Sequence, residues 1–470
     1  MYDLIIKNAI VLTSTSKKYS DIAVENGKIK KIVKRGALDK YQSKNTEVYD
    51  ASGLVLMPGL IEPHMHIKAP LGGITDVLDF DSASKVAAYG GVTTFLDFSS
   101  TLPGMNLIDA VHDRKQEMSI SKQDYSLHCK VVNFDNVDNK LDEIERVIKD
   151  EGIPTFKLFL TYKKAKVMID DEYILKVLEI AKKYNARVGF HAESNVIAEY
   201  NEEKFEKEGK LSYEYFPECK GNICEEEAVS RILYYAELVK APIFFFHISS
   251  KGSIKLIEEA KEKGVDVIAE TCSHYLFFDK SKNKGEDGIL YLMSPPLRTK
   301  EDQKALWKAL KKGILSQITS DNCTFTRKQK EQSLTNGEKN FKKVISGVSG
   351  LEERFTLMRN AIENKKITEK EFVKLVSENP AKIFGLYPKK GAIRIGSDAD
   401  FTLFDPNKLS TLKKEDLHYP KEIEYSIYEE FSAKGKVVTT IRRGEFLLKD
   451  GVYNEGATNG QFLPRKLTIR

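Results

Sequence analysis

Leu56-Met-Pro-Gly-Leu-Ile-Glu-Pro-His-Met-His66 runs from an apolar segment straight into two histidines one residue apart. The apolar part, Leu56 to Glu62, is predicted as a strand, and the chain after it repeats one pattern: a short apolar strand, then an amphipathic helix. That alternation is the signature of parallel βαβ units. Further strands are predicted at Val92 to Phe98, Leu127 to Asn133, Thr155 to Leu160, Arg187 to His191, Ile243 to His247, Val265 to Glu270 and Ser316 to Asp321. Helical periodicity lies between most of them, as at Glu172 to Tyr184, Glu225 to Lys240 and Lys255 to Lys263. Eight strands with helical crossovers point to an α/β fold, a closed (β/α)8 TIM barrel. A doubly wound open sheet is the alternative, but no Gly-rich dinucleotide-binding turn follows the first strand.

Outward from the barrel, both chain ends read as β. Strands are predicted at Leu4 to Leu12, Asp21 to Glu25, Lys28 to Val33 and Glu47 to Asp50, with Asn26-Gly27 as a turn. After helical pieces at Glu352 to Asn364 and Thr368 to Glu378, β character returns at Gly391 to Gly396, Asp400 to Asp405 and Lys436 to Ile441. The simplest organisation pairs both ends into a small β-sandwich domain, residues 1–55 plus 386–470, and inserts the barrel, residues 56–385, between them. The tail after Gly451, carrying Arg465, Lys466 and Arg470, is a candidate contact to a neighbouring subunit.

With 470 residues, 41% hydrophobic and 30% charged, the chain can bury a large core, which excludes a disordered or disulfide-stapled protein. A surplus of +5, from 74 basic against 69 acidic residues, is too thin for a nucleic-acid footprint. Five cysteines without a pairing framework fit a reducing compartment. Charges at Asp3 and Lys7 interrupt what a signal peptide would need. No stretch approaches the ~20 apolar residues of a membrane span. A cytoplasmic protein with neither a membrane nor a nucleic-acid partner is expected.

Residues two apart on a strand share a face, so His64 and His66 can turn toward one metal; two surface histidines are the alternative. Position favours the metal. His191, His247 and Asp321 also fall at C-terminal strand ends, where barrels assemble active sites, and four of the eight histidines lie there. Lys157 lies inside the apolar strand Thr155 to Leu160. Desolvation there favours its neutral amine, which can capture carbon dioxide, and the resulting carbamate can bridge two cations. An outward-facing or ion-paired lysine is the other reading. Two divalent ions outweigh the negative charge of a carbamate, Asp321 and a hydroxide, and the surplus acidifies water and polarises a carbonyl oxygen. Asp321 is placed to move a proton from the nucleophile to a leaving nitrogen. The chemistry inferred is metal-assisted hydrolysis of an amide-like bond.

Seven ordered blocks carry a resemblance. Gly59-Leu-Ile-Glu-Pro-His-Met-His66, Phe156-Lys-Leu-Phe-Leu-Thr-Tyr-Lys163, His191-Ala-Glu193, His247-Ile-Ser249, Ala269-Glu-Thr-Cys272, Ser294-Pro-Pro-Leu-Arg298 and Ser320-Asp-Asn-Cys323 resemble the dihydropyrimidinase and hydantoinase branch of the amidohydrolase superfamily. The resemblance implies two divalent ions, zinc by family habit. His64, His66 and Asp321 would hold one, His191 and His247 the other, and N6-carboxylated Lys157 would bridge them. It also implies that Tyr162 stabilises the oxyanion and Ser294 grips a cyclic amide through its main chain. The reaction would open dihydropyrimidines, hydantoins or a related cyclic ureide to N-carbamoyl products, in a homotetramer.

Departures from the pattern concern the substrate. Glu62 replaces an Asp, Asn322 and Thr324 replace a His and a Pro, and Ser346 replaces an Asn that binds the substrate amide. Lys68 lies where dihydroorotase-like relatives carry a carboxylate-binding arginine, so it is a candidate for reading an acidic ring; a solvated rim lysine is the alternative. Dihydroorotase or allantoinase activity stays open beside the main reading. A non-catalytic tetrameric scaffold is disfavoured, because all six metal positions are present.

Overall fold

The computed structural model describes residues 2–41, 43–133 and 140–468. Eight parallel strands form one sheet in chain order: β1 (Leu60–Glu62), β2 (Val92–Ser99), β3 (Asp124–Lys130), β4 (Thr155–Phe159), β5 (Arg187–His191), β6 (Ile243–Phe245), β7 (Val267–Cys272) and β8 (Gln317–Thr319). Just beyond the ends of β1 and β8, Met65 bridges Asn322 in parallel and the His66 N–H donates to the Asn322 carbonyl at 2.7 Å, so the barrel closes beside the histidine pair. Ile61, Leu96, Phe98, Phe244 and Phe246 fill the interior, while Phe156 and Leu158 on alternate positions of β4 pack outward against the helices. Crossover helices include Asp171–Lys183, Asn222–Val239 and Lys251–Glu262.

Both chain ends contribute to one nine-stranded mixed sheet. Its centre is Val55–Pro58, parallel to Leu4–Leu12 on one side and antiparallel to Phe401–Thr411 on the other, with Leu56 opposite Leu403. Leu4, Ile6, Val11, Ile22, Leu56, Phe401 and Ile441 form its own apolar cluster. Among the described residues, no helix is long and apolar enough to cross a membrane.

Two sequence expectations are corrected. The stretch Leu56 to Glu62 is not one strand: Val55–Pro58 belongs to the mixed sheet and Leu60–Glu62 to the barrel. The chain crosses between them at Gly59, where a Cβ would stand 2.2 Å from the Thr93 hydroxyl oxygen, so only glycine fits the crossing. Gly391 to Gly396 is irregular, because both glycines take positive φ, +70° and +91°, which ends rather than extends a strand. The tail packs along its own barrel over its described residues. The Tyr125 N–H donates to the Gln461 carbonyl at 3.0 Å, and buried Arg465 donates to the Leu127 carbonyl and to Thr155 Oγ1. Arg470 lies outside the described residues.

Candidate active site

Five barrel strands deliver the polar cluster. His64 and His66 follow β1, Lys157 lies in β4, His191 ends β5, and Asp321 lies two residues past β8. His247 follows β6 in a left-handed conformation, φ +39°, and Asp321 has φ +47°, so two non-glycine residues hold uncommon backbone geometry at this one place.

The six side chains expected from the sequence converge. Asp321 Oδ1 lies 2.9 Å from His64 Nε2 and 3.4 Å from His66 Nε2, and Lys157 Nζ lies 3.0 Å from His64 Nε2. Ligand atoms of His64, His247 and Asp321 all fall within 4.8 Å of one another. The His191 and His247 rings are 4.6 Å apart, and those of His64 and His247 5.5 Å. Phe98 and Phe246 floor the cluster, with Lys157 Nζ 4.4 Å and 4.7 Å from their ring centres.

Burial and neighbouring charges set the charge states between them. Burial lowers His66 and His247 well below the ordinary imidazole value and brings Lys157 down to about 8. Burial alone would raise the Asp321 carboxyl, but His64, His66 and His247 outweigh it and hold the group well below the usual carboxylate range. Imidazoles, of which burial lowers His66, His191 and His247 while Asp321 and Glu270 outweigh burial and raise His64, together with an ionised carboxylate and a readily deprotonated amine, form the donor set that divalent cations take, so the residues fit a metal centre.

Carboxylates behind the histidines orient them. Glu270 Oε1 accepts from His64 Nδ1 at 2.5 Å, which leaves Nε2 facing Asp321 and Lys157. Glu193 Oε2 lies 2.7 Å from His191 Nε2, leaving Nδ1 available. Buried Glu62 accepts from the backbone N–H groups of His64 and Ser320 at 3.1 Å and 3.2 Å, tying the ends of β1 and β8 together. Asn322 serves the same closure, since its side-chain carbonyl accepts from Gly350 N–H.

A second group lines one side of the mouth. The Lys220 ammonium is 3.0 Å from Ser294 Oγ, 3.6 Å from Glu193 Oε2 and 4.9 Å from the Tyr162 ring centre. Burial raises the Tyr162 phenol, which stays a proton donor. Ser346 lies on a neighbouring loop, and buried Lys330 joins that loop to the Ser294 loop by donating to the Ile345 and Leu292 carbonyls, each at 3.3 Å. The structure does not bring Lys68 into the cluster: its side chain is 54% exposed and its ammonium lies 3.4 Å from Glu117. Sequence reading assigned no role to Glu193, Glu270, Lys220 or Lys130. The first two stood in quoted blocks, two residues after one histidine and at a strand end, and that placement was the available signal.

The chain matches the amidohydrolase family over residues 55–447. It is 35% identical to the D-hydantoinase of Ralstonia pickettii over 468 residues, 99% of each chain. With the D-hydantoinase of Geobacillus stearothermophilus it shares 34% identity over 467 residues, 98% of this chain and 96% of that one. Its fold superposes on a dihydropyrimidinase from Brevibacillus agri NCHU1002 with a TM-score of 0.93, at 34% identity and with 99% of each chain covered.

Proposed function

The chain belongs to the amidohydrolase family, and from that premise we propose a hydrolase of cyclic amides that opens hydantoin or dihydropyrimidine rings to N-carbamoyl products. One observation carries this reading: a buried cluster of His64, His66, Lys157, His247 and Asp321 at the mouth of the barrel, built from strands far apart in sequence. In this reading His64, His66 and Asp321 hold one divalent ion, His191 and His247 the other, and carboxylated Lys157 links them. Bound there, two such ions supply Lewis acidity that acidifies water and polarises a carbonyl oxygen.

The remaining work falls to the chain. The Lys157 amine, lowered to about 8 by burial, is neutral often enough near pH 7 to add carbon dioxide, losing a proton as the N–C bond forms. Asp321, ionised beside its histidines, accepts the proton of the attacking water on a carboxylate oxygen and returns it to the ring nitrogen that leaves. Tyr162 donates its hydroxyl to the oxyanion that develops on the carbonyl oxygen. Ser294 and Ser346, on loops tied together by Lys330, hold the ring amide. Zinc, a homotetramer and a cytoplasmic location belong to the same reading and rest on the family resemblance.

The test is a panel of hydantoin, dihydrouracil, allantoin and dihydroorotate incubated with zinc-loaded protein and followed by ring opening. N-carbamoyl product from hydantoin or dihydrouracil is expected. Activity confined to dihydroorotate would reject the assignment.

A further inference from the structure

Five lysines are buried among the described residues, and four have partners: Lys157 has His64, Lys220 has Ser294 and Glu193, Lys330 has two backbone carbonyls, and Lys390 has Asp124, Asp398 and Asp400. Lys130 is the exception. No carboxylate or carbonyl among the described residues hydrogen-bonds its ammonium, which lies 5.5 Å from the centre of the Phe98 ring. It is also the most open of the five, at 9% exposure. An unpaired ammonium held largely out of water costs several kcal/mol, so its retention calls for a reason. An aromatic face offsets only part of that cost.

Its position supplies the reason. Lys130 ends β3 and stands directly opposite Lys157 in the parallel ladder, so the two side chains leave the sheet on the same side. Lys157 points into the candidate active site, and both ammonium groups lie over the same Phe98 ring. The charge of Lys130 reaches His66, the buried carboxylate of Asp97 and Cys323, which lies two residues after Asp321. The arrangement is a partly desolvated cation at the substrate mouth to which no described carboxylate is hydrogen-bonded, since Asp97, whose charge reaches it, is bridged to Arg114 at 2.9 Å, and a direct anionic partner is most simply brought by the substrate.

We propose that Lys130 receives an anionic substituent of the ring, so that the preferred substrates are cyclic ureides or amides bearing a carboxylate. This rests on the ring-opening function above and narrows it. It also moves the acid-reading cation from Lys68, which Glu117 already holds on the exposed rim, to Lys130 inside the mouth.

The test compares carboxymethyl hydantoin with its uncharged amide, rings of the same shape that differ by one charge. The readout is the ratio of kcat/KM for the acid to kcat/KM for the amide, with zinc content measured on every sample. In the unmodified chain the ratio is expected above one. In Lys130→Met it falls roughly tenfold to a hundredfold, the worth of one charge-assisted hydrogen bond, while Lys130→Arg keeps most of it and Lys68→Gln leaves it in place. Equal losses on both rings in Lys130→Met, or loss of zinc, would overturn the proposal and mark Lys130 as a partner of the carboxylated Lys157 instead. If the unmodified chain opens neither ring, it is the ring-opening function that fails. Calorimetric binding of the same pair then reads the contact, acid-selective binding lost in Lys130→Met supporting it and unselective binding overturning it.

Discussion

Asp321 Oδ1 stands between two imidazoles, 2.9 Å from His64 Nε2 and 3.4 Å from His66 Nε2, in a backbone conformation that few non-glycine residues adopt. Lysine or histidine at that point would supply no anion, and glutamate would push its oxygens further into the cluster. Asp321→Asn keeps the shape but removes the charge and the proton acceptor, so kcat for ring opening is expected to fall by about 10²–10⁴, measured on zinc-loaded protein. The convergence of the six candidate side chains was legible because each sits on or just after a barrel strand, where period-two geometry and barrel architecture fix its direction. Glu270 and Lys220 were harder to read. Their roles come from contacts across the barrel, such as Glu270 to His64, 206 positions apart, and spacing along the chain carries no record of such contacts.

At the level of elements, the boundary between sheet and barrel depends on Gly59. Gly59→Ala would drive a methyl group into Thr93, and urea unfolding is expected to show a loss of about 1–3 kcal/mol, recovered in part by Thr93→Gly in the same chain. The periodicity of Leu56 to Glu62 hid this break, because both halves are apolar and a strand that changes sheets keeps its hydrophobicity. The helix Glu353–Glu363 adds a pH-dependent element. Buried Glu353 accepts from Tyr419 at 2.7 Å and Ser426 at 2.8 Å, yet burial outweighs these bonds and pushes its carboxyl up to about 7. The unfolded chain therefore releases this proton first, and stability falls as pH rises from about 4.5 to about 7, levelling outside that window. Relative to Glu353→Gln, the unmodified chain is expected to lose on the order of 3 kcal/mol across it, read by denaturant unfolding at either end.

Across the whole molecule, the two chain ends meet in one sheet while the tail returns to the N-terminal end of the barrel, opposite the polar cluster. Arg465, buried with no carboxylate partner among the described residues, binds the Leu127 and Phe384 carbonyls and the hydroxyls of Ser126 and Thr155. Arg465→Ala should lower stability by about 2 kcal/mol by stranding those acceptors, with ring opening at low temperature retained. The barrel and the joining of both ends could be read from alternation alone. The docking of the tail could not, since its Gly-rich and Asn-rich composition resembles a loose segment and its partners on the barrel strands, Ser126, Leu127 and Thr155, lie more than 300 positions away. The most direct test of the account is metal content per chain, measured by elemental analysis on the unmodified protein and on Lys157→Met after identical zinc loading. About two ions are predicted in the first, and at most one in the second together with loss of ring opening. Two ions retained in Lys157→Met, or full activity with far less than one ion in the unmodified chain, would contradict it.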